Sequence, residues 1–274
     1  MDDMGLVMAM FALLVVIGGI AGVLAGLLGV GGGIVLVPSF FYAFQTLGYG
    51  GPSLMQVCLG TSLATIIVTS LRSLQSHNKK GAVDWFILKT WAPGIAIGAL
   101  IGVFIASKLA SRELQALFGC LALIISLYLA FGKSEWRIGT EMPGGLTRAI
   151  LSPLMGFLSV LMGIGGGSFG VPTMTLFGRP IHRAVATAAG FGLLIAVPSV
   201  LAFLLVKIPD GSRPPYSIGA VNLPAFFVVI CMTTLTAPLG AKLAHATDPK
   251  PLRRIFAGFL FLVALNMLRK TFYG

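Results

Sequence analysis

The chain has 274 residues, of which 57% are hydrophobic and only 10% are charged, and its mean hydropathy is +0.97. So little polar surface cannot cover a soluble globule, and the composition predicts a polytopic membrane protein within a lipid bilayer. The net charge of +11 would suggest nucleic-acid binding in a soluble chain. Here the Lys and Arg residues lie in short groups between apolar runs, so they indicate membrane topology and no nucleic-acid partner.

Ten apolar runs follow one another along the chain, in two sets of five. The first set lies at about 6–28, 34–47, 54–76, 84–107 and 112–131, and the second at about 143–162, 168–178, 182–206, 219–245 and 251–268. A helix needs about 20 residues to cross a hydrocarbon core about 30 Å thick. The second run of each set is shorter, so 34–47 and 168–178 are predicted to be half-helices or the returning arms of re-entrant hairpins.

A glycine-rich break precedes each short run, and the two breaks share one pattern. They read Gly29-Val30-Gly31-Gly32-Gly33, followed by Pro38, and Gly163-Ile164-Gly165-Gly166-Gly167, followed by Pro172. At another constant offset, Gly81-Ala82-Val83 matches Gly219-Ala220-Val221. Matching blocks in the same order predict one internal duplication, with a first membrane repeat at 1–132 and a second at 133–274.

The basic residues predict how the two repeats are oriented. If the loop at 72–84 is cytoplasmic, an odd number of crossings per repeat places the corresponding loop of the second repeat outside, so that the repeats are inverted. This arrangement leaves thirteen of the nineteen Lys and Arg residues inside, as the positive-inside rule requires. It predicts an all-α protein of the cytoplasmic membrane with both termini outside. Each repeat would hold a glycine-broken or re-entrant helix pair and three full transmembrane helices.

Each glycine break is followed at once by a new helix, whose first amides have no partner within that helix. An unpaired amide is costly in hydrocarbon and a helix start carries about half a positive charge, so the breaks predict an anion between two opposed helix starts. The alternative is that the glycines only permit close helix packing. The candidate ligands are backbone groups of the breaks and nearby hydroxyl residues: Gly31, Gly32, Gly33, Ile34, Thr61, Ser62, Gly165, Gly166, Gly167, Ser168 and Thr187.

Charged residues are placed at the ends of the apolar runs. All eight Asp and Glu residues lie at run ends or in loops, so no carboxylate is predicted to act as a sodium ligand or a conventional proton relay inside the membrane. Arg179, His182 and Arg183 follow the second short run. They are predicted to form either a positive-inside loop or a cationic vestibule that concentrates anions before they enter.

Other residue types carry no predicted chemistry. The three cysteines, Cys58, Cys120 and Cys231, have no Cys-x-x-Cys spacing and are predicted to be ordinary buried residues, with no metal site. Trp85, Trp91 and Trp136 are placed like interfacial anchors. The chain has no nucleotide-binding or catalytic motif, so neither a cofactor nor an enzymatic activity is predicted.

In its motifs the sequence resembles the TauE/SafE family of sulfite and organosulfonate exporters. The resemblance covers about residues 10 to 270 and rests on the two glycine motifs with their prolines, on Gly60-Thr61-Ser62 and on Gly81-Ala82-Val83-Asp84-Trp85. It implies a secondary transporter that moves sulfite or an organosulfonate such as sulfoacetate outward, by alternating access and with an ion gradient such as that of the proton. In the second repeat the Gly-Thr-Ser element has become Ala186-Thr187-Ala188, which removes one hydroxyl.

Two other functions stay open from the sequence. One is an uptake permease for a carboxylate or another small organic anion. The other is a non-transporting membrane scaffold that helps to assemble an oxidase or a thiol-handling complex, although the lack of long loops argues against it. No oligomeric state is predicted.

Overall fold

The structure of the protein is a computed structural model, and it describes residues 3–28, 32–132, 136–209, 213–246 and 249–273. The first half of the chain forms α1 (Asp3–Leu28), α2 (Gly33–Thr46), α3 (Leu54–Lys79), α4 (Trp85–Ala106) and α5 (Ser111–Phe131). The second half forms α6 (Gly145–Leu161), α7 (Gly167–Leu176), α8 (Ile181–Leu205), β1 (Ser217–Ile218), β2 (Val221–Asn222), α9 (Leu223–Ala246) and α10 (Pro249–Tyr273).

The structure confirms an all-helical, polytopic membrane protein. Within the described residues, six helical segments are long and apolar enough to cross a membrane: Leu54–Lys79, Trp85–Ala106, Ser111–Phe131, Ile181–Leu205, Leu223–Gly240 and Arg254–Phe272. One predicted boundary was wrong. The run at 219–245 does not begin as a helix, because its first residues belong to the short antiparallel strand pair β1–β2 and the helix begins at Leu223.

α3 and α8 form the centre of the bundle. α3 packs against α2, α8 and α9, while α8 packs against α3, α4 and α7. In the first half of α3, the hydroxyl of Thr61 accepts a hydrogen bond from the Asn222 amide. Near the end of α8, the Phe203 carbonyl accepts one from the Ala220 amide. The start of α3 and the end of α8 therefore lie at the same end of the bundle, and these two helices run antiparallel.

The remaining long helices pack in pairs around this centre, α1 with α9, α4 with α6 and α5 with α10. Glycines bring the α4–α6 pair into close contact. A Cβ atom added at Gly98 would overlap the Pro153 backbone, and one added at Gly156 would overlap the Ile95 carbonyl. Close backbone approach of this kind increases van der Waals contact, which helix association in lipid depends on because no hydrophobic drive is available there.

α2 and α7 are half-helices with matching ends. They have 14 and 10 residues, which at 1.5 Å per residue makes them about 21 Å and 15 Å long, too short for a 30 Å core. Each is ended by a glycine with left-handed φ, +82° at Gly48 and +79° at Gly178. The amide of the next residue, Tyr49 or Arg179, then bonds back to the last turn of the helix.

Candidate functional site

The start of α2 lies against the second glycine break, beside the middle of α3. A Cβ atom added at Gly33 would lie 2.7 Å from the Gly163 carbonyl oxygen and 3.0 Å from the Ile164 Cα atom. The same Gly163 carbonyl accepts a hydrogen bond of 2.7 Å from the hydroxyl of Ser62, and Ser62 is buried. The start of α2, the second break and α3 therefore meet at one place inside the bundle.

The second break also packs tightly against α8. A Cβ atom added at Gly166 would lie 2.5 Å from the Ala188 carbonyl oxygen and would overlap the Phe191 side chain. One added at Gly165 would lie 3.2 Å from the Ile66 side chain of α3. Contacts this short leave no space for a side chain at Gly166, so close helix packing accounts for this glycine without a ligand.

Packing does not account for the amides at the start of α2. Gly32, with a left-handed φ of +70°, precedes the helix. Its carbonyl accepts hydrogen bonds from the amides of Val35 and Leu36, at 3.0 Å and 3.1 Å. The amides of Gly33 and Ile34 come before these two, and neither has an acceptor within the described part of the chain.

The start of α7 likewise carries unpaired donors. The amide of Gly170 bonds to the Gly166 carbonyl at 2.8 Å, and in the described residues the amides of Gly167, Ser168 and Phe169 before it have no acceptor. The side chain of Ser168 is only 8% exposed, and its Oγ has no hydrogen-bond partner among the described residues. The second half-helix thus begins with three amides and one buried hydroxyl that are all available to a ligand.

The hydroxyl oxygens of Thr61 and Thr187 make structural contacts that the sequence did not predict. The Asn222 amide donates to Thr61 Oγ1, and the Asp84 amide donates to Thr187 Oγ1, each at 2.9 Å. Both threonine residues are fully buried. Each hydroxyl oxygen therefore supports the backbone that precedes α9 or α4 in the other half of the chain. Only the hydroxyl hydrogen remains for an anion, and that function stays a prediction.

The three residues of the predicted vestibule lie together where α7 ends and α8 begins. His182 and Arg183 are exposed. Arg179 differs from them because its Nη1 lies 4.0 Å from Asp84 Oδ2, and its Nε is buried without a partner in the described structure. The Asp84 carboxylate thus partly neutralises the positive charge of Arg179, which the sequence did not predict.

Several predicted residues fall elsewhere. Gly31 lies outside the described residues, so its predicted role as a ligand is not addressed by the structure. Cys58 is buried, but the prediction of buried cysteines was wrong for Cys120 and Cys231, which are exposed on the bundle. Among the described residues, no group of three or more His, Cys, Asp or Glu side chains could hold a metal ion.

One residue near the break was missed from the sequence. Ser159, two residues before the end of α6, is fully buried, and its hydroxyl has no partner among the described residues. Its own carbonyl accepts a hydrogen bond of 2.9 Å from the Ile164 amide in the second break. A lone serine in an apolar run gives no signal of this position.

Comparison with known proteins identifies relatives along nearly the whole chain. The family model described as sulfite exporter TauE/SafE matches residues 14–267. A probable membrane transporter protein of Haemophilus influenzae is 34% identical over 260 residues, which cover 94% of this chain and 98% of that protein. The probable membrane transporter protein YunE of Bacillus subtilis is also 34% identical, over 284 residues that cover 96% and 99%.

A more distant relative, a probable membrane transporter protein of Methanocaldococcus jannaschii, is 28% identical over 263 residues, which cover 93% of this chain and 94% of that protein. No solved structure matches the chain. The family match spans the part of the chain that holds both glycine breaks, and it confirms the resemblance noted in the sequence motifs. The protein is a membrane transporter and not an enzyme, and the chain belongs to the TauE/SafE sulfite exporter family.

Proposed function

We propose that the protein is a secondary transporter that exports a small sulfur-containing anion, sulfite or an organosulfonate such as sulfoacetate, across the cytoplasmic membrane. The observation that carries this proposal is the meeting of two helix breaks inside the bundle, with unpaired amides at Gly33 and Ile34 and an unpaired hydroxyl at Ser168. Helix starts attract anions, and amides and hydroxyls donate hydrogen bonds to oxyanions. The family description supports a sulfur oxyanion as the substrate.

The proposed site has donors without neighbouring carboxylates. Among the side chains that the structure describes, the acidic ones are Asp84, Glu113 and Glu141, and all lie at helix ends or in loops. An anion at the breaks would therefore meet no repulsion from a nearby acid. In this proposal coupling comes from a proton that travels on the substrate, from a titratable group near the cytoplasmic mouth, or from bulk charge movement.

We propose further that the two halves are inverted repeats and that alternating access comes from one half moving against the other around the breaks. The packing of the helices supports this, because the most extensive contacts have counterparts: α1–α9 with α6–α4, α2–α3 with α7–α8, and α3–α9 with α8–α4. The antiparallel course of α3 and α8 and the two reciprocal threonine contacts give further support. Broken helices that meet between inverted repeats are a common site design in secondary transporters.

A counterflow assay in proteoliposomes tests the proposal. Vesicles containing the purified protein are loaded with sulfite, sulfoacetate, taurine or a simple carboxylate, and uptake of the labelled substrate is followed. We expect exchange with sulfite or a sulfonate and much slower exchange with carboxylates. Preference for a carboxylate would instead identify an organic-anion permease, and a lack of flux with every anion would favour the scaffold function.

A further inference from the structure

A polar cavity lies at the end of the bundle where α2 ends and α3 begins, and none of its lining residues belongs to a glycine break. Its volume is about 260 Å³. A space of this size has room for several water molecules or for one small organic ion. The polar and basic residues that line it are Gln45, Ser111, Arg112, Gln115 and Lys270.

Two cations face this cavity. Lys270 Nζ donates to Gln45 Oε1 at 2.7 Å and lies 4.8 Å from the centre of the Tyr42 ring. Arg112 Nε donates to the Thr271 carbonyl at 2.6 Å, which leaves its terminal guanidinium nitrogens without a partner among the described residues. None of the described residues that line the cavity is acidic. The positive charge of the cavity is therefore not balanced by its own walls.

The neighbouring charged groups leave an excess of positive charge at this end of the bundle. Glu113 follows Arg112 in the sequence, but its Oε2 accepts a hydrogen bond of 2.8 Å from the Ala110 amide at the start of α5. Arg269, next to Lys270, adds a third positive charge at this end of α10 and donates to Asn266 Oδ1 at 3.4 Å. An anion here would meet cations from two helices.

The walls of the cavity are joined by hydrogen bonds between helices. The Ser111 amide donates to the Pro52 carbonyl at 2.7 Å, and Ser111 Oγ accepts a hydrogen bond of 3.0 Å from the Met55 amide. Gln115 Nε2 donates to the Met267 carbonyl at 3.1 Å. These bonds tie α3, α5 and α10 together, so the spacing of Arg112 and Lys270 is fixed by the fold and does not depend on a ligand.

We propose that this cavity is a second binding site, for a small anion with a sulfonate or carboxylate head and a short apolar body. The head would bind between Arg112 and Lys270, because a guanidinium group pairs with two oxygens at once and an ammonium group supplies a further charge. Phe41 and Leu54, which also line the cavity, would contact the apolar body.

The location of the cavity indicates at which end of the proposed transport route this site lies. It lies at the starts of α3 and α5, whereas the Asp84–Arg179 contact lies beyond the opposite end of α3. In the proposed orientation the cavity faces the outside, where it would hold an exported anion after release from the glycine breaks. This part of the inference rests on the proposed function, whereas anion binding in the cavity does not.

A local protection experiment tests the site. The purified full chain with Gln45→Cys is treated with a maleimide in detergent, and modification at position 45 is followed by mass spectrometry with increasing ethanesulfonate. We expect ethanesulfonate to slow the modification, while ethanol at the same concentration does not. When Arg112→Gln or Lys270→Gln is combined with Gln45→Cys, the ethanesulfonate concentration that gives half-protection should rise about tenfold or more. This is the effect expected for loss of a hydrogen bond to a charged group.

Lys108→Gln is the matched control. Lys108 lies at the same end of the bundle, with its Nζ 4.1 Å from the centre of the Phe104 ring, and it does not line the cavity. We expect no change in half-protection with this variant. The proposed site would be overturned if Lys108→Gln weakened protection as much as Arg112→Gln or Lys270→Gln does. It would also be overturned if ethanesulfonate gave no protection in the Gln45→Cys protein itself. Arg112→Lys keeps the charge and should keep part of the protection; its complete loss in a variant with normal thermal unfolding would also overturn the site.

Flux measurements on the same proteins separate this inference from the proposed function. If ethanesulfonate protects position 45 but the Gln45→Cys protein transports no anion, the transport function is contradicted and the cavity site remains. Normal sulfonate flux without protection would contradict the cavity site and leave the transport function in place.

Discussion

Four of the buried hydroxyl residues near the glycine breaks differ in their hydrogen bonding. Thr61 and Thr187 accept from the amides of residues in the other half of the chain. Ser62 donates to the Gly163 carbonyl. Ser168 has no partner among the described residues. Of these four, only Ser168 has a hydroxyl with no bond at all, and it is therefore the side chain best placed to bind an anion at the start of α7.

Ser168→Ala is expected to reduce anion flux about tenfold or more without lowering the stability of the fold. A hydrogen bond to a charged group contributes about 1.5–3 kcal/mol, whereas removal of a buried hydroxyl without a partner relieves a desolvation cost. Counterflow in proteoliposomes measures the flux, and thermal unfolding in detergent measures the stability.

Ser199→Ala is the matched control for this variant. Ser199 is equally buried, but its hydroxyl donates to the Ile195 carbonyl within its own helix, so its loss should leave the flux unchanged. Normal flux in well-folded Ser168→Ala would contradict the proposed site. Substitution of Gly166 would not give this information, because any side chain there overlaps the backbone of α8.

Thr61→Val and Thr187→Val are each expected to lower the free energy of unfolding by about 1–3 kcal/mol. Each substitution keeps the shape of the side chain but leaves a backbone amide in the interior without an acceptor. Thermal unfolding in detergent checks this. Thr173→Val is the control, because its hydroxyl bonds only to the Phe169 carbonyl of its own helix. An unfolding temperature unchanged from that of the native chain in both test variants would show that the two contacts do not stabilise the fold.

At the level of elements, α4 and α9 begin in the same way with different residues. Asp84 Oδ1 accepts from the Ile87 amide at 3.1 Å, and Asn222 Oδ1 accepts from the Ala225 amide at 3.0 Å. Both side chains cap the first turn of a helix. Only Asp84 adds a charge, and that charge faces Arg179. The two ends of the bundle are therefore equivalent in backbone geometry but not in electrostatics.

Asp84→Ala is expected to lower the free energy of unfolding by about 1 kcal/mol, whereas Asp84→Asn should change it much less, because asparagine caps a helix as well as aspartate does. Asn222→Asp should be more costly than Asp84→Asn. It loses the two donations from Asn222 Nδ2, to the Pro215 carbonyl and to Ser217 Oγ, and it places a carboxylate at a fully buried position. Thermal unfolding of the three variants gives the ranking, and equal losses in Asp84→Ala and Asp84→Asn would contradict the capping role.

The sequence predicted the helices well, because a long apolar run in a membrane has few alternatives to a helix. The runs predicted the helices to within a few residues, and the glycine triplets predicted both helix breaks. The strand pair β1–β2 was missed because residues 219–222 are mostly apolar and continue directly into α9.

Trp91 was wrongly predicted to be an interfacial anchor. It is 1% exposed, and its ring stacks on Phe191 at 6.3 Å, a contact that only the packing of α4 on α8 creates.

For the whole molecule, the membrane class followed from composition, but the partners of the polar groups did not. The acceptor of the Asp84 amide lies 103 residues away in the chain, and that of the Asn222 amide 161 residues away. Periodicity and propensity describe local structure and do not show which helix lies beside which. For the same reason the sequence could identify Thr61 and Thr187 as polar residues near the breaks without showing that their oxygens were already engaged.

The proposed orientation of the whole molecule can be tested with reporter fusions. Alkaline phosphatase, which is active only outside the cytoplasm, is expected to be active when fused after Gly274 and inactive when fused after Lys80. The expectation follows from the excess of basic residues in the loops assigned to the inside. A cytoplasmic fluorescent reporter at the same two positions should give the reverse result, and activity in the opposite pattern would reverse the assignment of inside and outside.

The reciprocal threonine contacts also bear on how such a chain could arise and be divided. Each half of the chain contributes one helix hydroxyl that accepts a backbone amide and one helix-start amide that donates to the other half. One half produced alone would leave its threonine hydroxyl and its helix-start amide without a partner. In a dimer of two such halves, each copy could supply the partner that the other lacks. If the two halves are inverted repeats, as proposed above, the bundle has the form expected from the fusion of two copies of a smaller dimeric membrane protein. Cutting the chain between α5 and α6 should yield two fragments that are stable only when they are produced together.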